Sequence, residues 1–240
     1  MSDDYDSWVD GDIPEEKFQA TLKQVQVNKP KIKLENSKTP IVMVETAFLA
    51  STASLIWLIN YYFPLGSLLR IFFPIPIALA YLRRGKRAAW MSTLVSGLLL
   101  SVLMGPTRSI LYIIPYGLLG VQLGGFWRMG QSWLASITTG TIIGTIGFFF
   151  RFWFLSILLG EDLWIYTINQ VTRLADWLFI KLGVLSVPSP LLIQILALGT
   201  VIVQNLIYLF VVHLVALLIL DRLGNPIPKP PQWVQVLLDI

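Results

Sequence analysis

Three arginines, Arg70, Arg108 and Arg151, lie in or beside long apolar runs of the sequence. An ionisable side chain in such a run faces a cavity or a partner more often than lipid, and a guanidinium binds a carboxylate or a phosphate through two parallel hydrogen bonds. Tyr112 and Tyr116 are expected at a similar depth, where they could line the same cavity. These five residues predict a binding site for an anionic or zwitterionic small-molecule ligand.

A second interpretation of the arginines stays open. Long arginine stems can lie along apolar surface while the guanidinium reaches lipid phosphates, and Trp153 and Trp164 near Arg151 are typical membrane-interface anchors. Pro74 and Pro76 follow Arg70 and free backbone carbonyls in an apolar run, which is tolerated only where protein or a cavity satisfies them. The prolines therefore favour a cavity beside Arg70.

Other chemistry finds little support in the residue types present. The chain has no cysteine and one histidine, His213, and it carries no glycine-rich phosphate loop after a strand. Glu45, early in an apolar run, is interpreted as a helix N-terminal carboxylate or as the partner of a proton or of a basic group. Gln194, Gln204 and Asn205 are interpreted as interhelical hydrogen-bonding groups, with ligand contact as the alternative. We expect no enzyme, no metal site and no cofactor.

The elements that position these residues follow from composition. Hydrophobic residues make up 55% of the 240 residues and charged residues only 13%, which indicates an all-α polytopic membrane protein with the lipid bilayer as its surroundings. The net charge of +4 comes mostly from loops, so no nucleic-acid partner is predicted. Hydropathy predicts six spans, at about 40–63, 65–82, 88–104, 109–127, 133–159 and 190–220. A polar, amphipathic stretch at 161–186 predicts an outer-side helix between spans five and six.

Three regions follow along the chain. Composition predicts a polar, disordered leader at residues 1–38, a six-span membrane domain at residues 39–222 and a proline-rich tail at residues 223–240. The cluster RRGKR at 83–87 predicts a cytoplasmic loop by the positive-inside rule. Both termini are then cytoplasmic, in an inner or plasma membrane or a thylakoid membrane. Arg70, Arg108 and Arg151 fall on the outer side.

Small residues recur at four-residue spacing, which lets helix backbones approach closely. Span one has Ala47 with Ser51 and Ala50 with Ser54, which are the candidate interface for a partner protein. Gly120 with Gly124 and Gly140 with Gly144 repeat the spacing in later spans, so most of these pairs must serve packing within the chain.

The segment FFPIPIALAYLRRGKRAAWMSTLVSGLLLSVLMGPTRSILYIIPYGLLGVQLGGFWRMG, within residues 65–130, resembles the YybS-like family of predicted membrane proteins, in a form associated with cyanobacteria and plastid-bearing lineages. That family is similar to the substrate-binding S components of energy-coupling factor (ECF) transporters. The resemblance implies a small-molecule binder that works with a transmembrane coupling subunit and ATPase subunits. S components present an alanine-x-x-x-alanine motif to the coupling subunit, and the nearest match here is Ala47-x-x-x-Ser51.

Two functions are therefore predicted. The first is a substrate-binding subunit for uptake of a small anionic or zwitterionic solute. The alternative is a non-transporting membrane scaffold or assembly factor, in which the leader and the tail contact a larger complex.

Overall fold

The computed structural model describes residues 38–63, 67–181, 189–232 and 234–235. Nearly all of the predicted leader lies outside these residues. Contacts divide the chain into units 1–40 and 41–240, and the candidate site lies in the second. The helices are α1 Lys38–Tyr62, α2 Ser67–Arg70, α3 Ile75–Arg84, α4 Lys86–Met104, α5 Pro106–Tyr112, a π-helical turn Ile113–Gly117, α6 Leu118–Arg128, α7 Trp133–Leu159, α8 Leu163–Lys181 and α9 Pro190–Arg222.

Five of these helical segments are long and apolar enough to cross a membrane. They cover Pro40–Tyr62, Lys86–Met104, Pro106–Arg128, Trp133–Leu159 and Pro190–Arg222. Each lies within a few residues of a predicted span, and α8 occupies the predicted amphipathic stretch. The all-α membrane fold is confirmed.

The predicted second span differs from the others because it is not one continuous helix. The short helices α2 and α3 are separated by residues 71–74, where Pro74 cannot donate a backbone hydrogen bond and restricts the residue before it. At the far end of α3, Arg83 and Arg84 each contact the carboxylate of Glu45 at 2.5 Å, near the start of α1. Residues 67–84 therefore run back along α1 as two short helices, named here the broken crossing after the span predicted at 65–82.

The two ends of the helix bundle are named here by their contents. The paired end carries Glu45 with Arg83 and Arg84, and the cavity end carries Arg70 and Arg151. Helix α4 shows how the bundle is packed between them. Its Ser92, Thr93 and Ser96 are fully buried, whereas Leu98 and Val102 are exposed. Small polar residues inside and large apolar residues outside are the arrangement expected of a bundle surrounded by lipid.

A glycine seam joins α6 to the broken crossing. A Cβ added to Gly120 would lie 2.9 Å from the carbonyl oxygen of Pro74, and one added to Gly124 would lie 2.7 Å from the carbonyl oxygen of Ala78. Real side chains do not approach backbone this closely, so α3 and α6 are held at a distance that only glycine permits. The prediction that the Gly120–Gly124 pair serves internal packing agrees with this geometry.

The helix that follows Gly105 is widened by the π-helical turn Ile113–Gly117. Pro115 lies inside this turn and has no N–H to contribute to a regular α-helical ladder. Single π-helical turns inside α-helices occur frequently at functional sites. This one places Pro115 and Tyr116 on the wall of a cavity.

The described part of the tail packs against the paired end. The indole N–H of Trp133 donates to the carbonyl oxygen of Pro228 at 2.8 Å. Ile227 and Val234 are buried in the same apolar cluster as Trp133 and Leu220. These tail residues are therefore part of the folded domain.

Candidate functional site

Two adjoining cavities open at the cavity end of the bundle. The larger has a volume of about 400 Å³ and is bounded by α2, the π-helical turn, α7 and α9. The smaller, of about 260 Å³, is bounded by α1, α2 and the same turn. Arg70, Tyr116 and Arg151 line both cavities, so three of the five residues predicted to bind a ligand meet at one place.

The larger cavity has apolar walls and one polar side. The apolar residues include Ile71, Leu111, Phe148, Val201 and Val211. Besides Arg70, Tyr116 and Arg151, the polar residues are Gln204, Asn205 and Tyr208, all from α9. The Tyr208 hydroxyl donates to the backbone carbonyl of Arg70 at 2.9 Å. That carbonyl lies at the break between α2 and α3 and also accepts from the Phe73 N–H at 3.2 Å, so Tyr208 adds a second hydrogen bond at the proline-broken backbone.

The smaller cavity is lined largely by aromatic rings. The centroid of the Trp57 ring lies 4.9 Å from that of Phe73 and 5.4 Å from that of Tyr116, and Phe73 and Tyr116 are themselves 4.9 Å apart. Edge-to-face and tilted contacts at these distances fix ring orientations. The Arg70 and Arg151 side chains line the same cavity as these rings.

The other two predicted ligand residues lie close by but line neither cavity. The Arg108 guanidinium stacks 4.0 Å above the ring of Tyr61, which does line the smaller cavity. Tyr112 is fully buried, with its ring 5.4 Å from that of Trp57, which lines the smaller cavity. Each of the two residues therefore contacts an aromatic residue of the cavity wall.

The arginines at the cavity end have no carboxylate partner among the described residues. Among the described residues, the ion pairs all involve Glu45, which lies at the paired end. Glu161 and Asp162 line a separate surface depression with Trp153 and Trp164, apart from Arg70 and Arg151. The shared wall of the two cavities therefore carries positive charge that the described protein does not neutralise, which is an environment complementary to an anion.

The sequence identified Gln204 and Asn205 of α9 as polar residues, with ligand contact as an alternative role, but it did not identify Tyr208. The Asn205 amide donates to the Thr145 hydroxyl at 3.4 Å, across to α7, and to the Val201 carbonyl at 3.1 Å. Asn205 therefore makes the expected interhelical contact and also lines the larger cavity. Tyr208 lies three and four residues beyond Asn205 and Gln204, on the same helix face. That spacing was the signal that could have identified it.

The candidate partner interface on α1 divides into two faces. Ala50 and Ser54 are buried, and the Ser54 hydroxyl donates to the Ser96 carbonyl of α4 at 3.0 Å, so this pair packs inside the chain. Ala47 and Ser51 are exposed. A partner could contact only the second pair without disrupting the first.

Metal ligation finds no support in the described part of the chain. Residues 38–63, 67–181, 189–232 and 234–235 contain no cluster of three or more histidine, cysteine, aspartate or glutamate side chains. His213 is buried and its two ring nitrogens lie 2.8 Å from the Leu209 carbonyl and 3.1 Å from the Ser136 hydroxyl. It is a hydrogen-bonded packing residue.

Comparison with known proteins places the chain by family. No curated protein and no solved structure matches it. One family model matches residues 51–238, which include the broken crossing, both cavities and the docked tail. The chain belongs to the DUF2232 family of predicted membrane proteins.

Proposed function

We propose that the protein is a substrate-binding membrane subunit that takes a small anionic solute into the cavities beside Arg70 and Arg151. The observation that supports this proposal best is that two arginines from separate parts of the sequence border the same cavities with no described carboxylate near them. A guanidinium pair in that position can hold a carboxylate or phosphate group through charge-assisted hydrogen bonds.

The competing interpretation, in which the arginines only reach lipid phosphates, accounts for less. It fits the exposure of both side chains and the position of Arg70 at the end of α2. It gives no reason for two arginines to border a cavity of about 400 Å³ that also presents Gln204, Asn205 and Tyr208. Polar groups that converge in a mostly apolar cavity of this size are typical of a small-molecule site.

The proposed topology and partners extend this function. The cluster at Arg83, Arg84, Lys86 and Arg87 supports a cytoplasmic paired end by the positive-inside rule, with the cavities on the outer side. The resemblance to ECF S components supports coupling and ATPase subunits as partners, with the exposed pair Ala47 and Ser51 as a candidate contact. Packing of Ile227 and Val234 leaves less of the tail free for the alternative scaffold function.

The test of the anion site is direct binding. Protein in phosphatidylcholine nanodiscs is titrated with radiolabelled inorganic phosphate and with labelled acetate. Arg70→Gln and Arg151→Gln remove one charge each, and Arg173→Gln, on α8 and away from both cavities, is the matched control. Anion binding that Arg70→Gln and Arg151→Gln weaken, and that Arg173→Gln leaves unchanged, supports the site. Equal binding by all three variants and the native chain contradicts it.

Topology and partners need separate experiments. Because the chain has no cysteine, a single cysteine introduced at the exposed Lys86 or at the exposed Pro106 reports which side of the membrane each loop occupies. A membrane-impermeant maleimide should label position 106 from outside and position 86 only after permeabilisation. Co-purification of an ATPase from native membranes supports the coupled subunit, and recovery of a large assembly without one supports the scaffold.

A further inference from the structure

We propose that the ligand is an amphiphilic organic anion, with one carboxylate or phosphate head and an apolar tail, that enters the larger cavity sideways from the outer leaflet. The inference rests on the proposed anion site and names its substrate class. It follows from three features of the larger cavity: where its charge lies, what lines the rest of it, and where its rim meets the surface.

The charge lies at one side of a mostly apolar space. Arg70 and Arg151 border the wall shared with the smaller cavity, while Leu111, Leu119 and Val201 line regions away from it. A fully hydrated inorganic ion would satisfy the arginines and leave this apolar space filled with water. A ligand with an anionic head and an apolar tail satisfies both parts.

The size of the larger cavity suits such a molecule. Its volume of about 400 Å³ falls within the range of roughly 300–1,000 Å³ that is typical of small-molecule sites. An acetate or a phosphate ion would fill only a small part of it. A carboxylate with an apolar chain would fill more of it.

The rim of the cavity reaches the outside of the bundle within the depth of the hydrocarbon core. Ile207 lines the cavity and is also 57% exposed, so it forms part of the rim. It precedes Arg222 by fifteen residues, which is about 22 Å along the helix at 1.5 Å per residue. The hydrocarbon core is about 30 Å thick, so the space outside Ile207 is occupied by lipid chains.

The arginines lie near the far edge of that core. Arg151 follows Trp133 by eighteen residues, or about 27 Å along α7. An amphiphile in the outer leaflet holds its anionic head at this level and its chain at the level of Ile207. It can therefore move laterally into the cavity with its head and tail already at the right depths.

The experiment compares two anions with the same head. Protein in phosphatidylcholine nanodiscs is titrated with labelled dodecanoate and with labelled acetate, with empty nanodiscs as the blank. Ile207→Trp fills the rim, and Val203→Trp, which changes an exposed residue of the same helix outside the cavity, is the matched control. Both positions are exposed, so neither bulky side chain needs room in the packed interior.

We expect protein-dependent dodecanoate binding that Ile207→Trp weakens about 10-fold or more, since several methylenes of the tail lose their place in the cavity. Val203→Trp should bind as the native chain does, and methyl dodecanoate, which lacks the charge, should not compete. Arginine-dependent binding of acetate that dodecanoate does not exceed, with no effect of Ile207→Trp, overturns this inference and leaves the anion site standing. Loss of arginine dependence for both anions overturns the anion site itself.

Discussion

The two ends of the helix bundle use the same side chain in different ways. At the paired end, Arg83 and Arg84 share the carboxylate of Glu45, each at 2.5 Å. At the cavity end, Arg70 and Arg151 border open space without a carboxylate among the described residues. The paired arginines join α3 to α1, whereas Arg70 and Arg151 remain available for the anion that we propose as ligand. The contacts of a guanidinium, and not its residue type, therefore separate a helix-joining role from a candidate binding role.

The largest effect should come from disrupting the glycine seam between α6 and the broken crossing. Gly120→Leu forces a side chain into the space held by Ile77 and the Pro74 carbonyl, where even a Cβ would lie within 2.9 Å. We expect a loss of 3 kcal/mol or more, about the scale of severe overpacking, seen as a lower melting temperature in detergent. Gly199→Leu is the control, because a Cβ there meets nothing within 4 Å. Equal stability of the two variants would contradict the seam.

The next effect sharpens the contrast at the cavity end. Arg70→Gln combined with Arg151→Gln should weaken binding of the anionic probe by about 100-fold, since hydrogen bonds to charged groups contribute roughly 1.5–3 kcal/mol each. The melting temperature without ligand should stay within a few degrees of the native value, because neither arginine has an ion-pair partner to lose. A large fall in melting temperature would make these arginines structural.

The reciprocal change at the paired end should be smaller and of the opposite kind. Glu45→Gln leaves Arg83 and Arg84 beside each other without a carboxylate, and we expect a loss of about 1–2 kcal/mol in stability, because all three side chains are partly exposed. Binding of the anionic probe should not change. Weaker binding in this variant would mean that the two ends are coupled, and the contrast between them would fail.

The smallest effect is expected at Arg108. Its guanidinium stacks on Tyr61 at 4.0 Å, a contact worth about 0.5–1 kcal/mol at an exposed site. Arg108→Gln should lower the affinity for the probe no more than about threefold, through a looser Tyr61 ring at the cavity wall. A loss as large as that of Arg70→Gln would place Arg108 in contact with the ligand.

Sequence reasoning recovered the helices because apolar length alone decides them. The predicted spans at 133–159 and 190–220 became Trp133–Leu159 and Pro190–Arg222 with almost no shift. The broken crossing was harder, since two prolines change the geometry of the helix without changing its hydropathy. The ion pairs of Glu45 with Arg83 and Arg84 show that residues 67–84 run back along α1. Their partners lie 38 and 39 positions apart in the sequence, so no local pattern predicts them.

The candidate site was predicted in part for a related reason. Arg70 and Arg151 stand out because charge is rare in apolar sequence, and both line the cavities. Tyr112 and Tyr116 looked equivalent from depth alone, yet the π-helical turn directs only Tyr116 to the cavities and leaves Tyr112 in the core. Which face a helical residue presents depends on winding that a composition pattern does not contain.

The wide turn at Ile113–Gly117 also has a consequence for movement. A π-helical turn holds one residue in excess of regular winding, and each residue of an α-helix turns the chain by about 100°. Arg108 on Tyr61 and Arg128 on the Tyr81 carbonyl hold the helix on either side of this turn, so the extra residue is retained between them. A shift of the wide turn by one residue along the helix would instead rotate Tyr116 within the wall of both cavities.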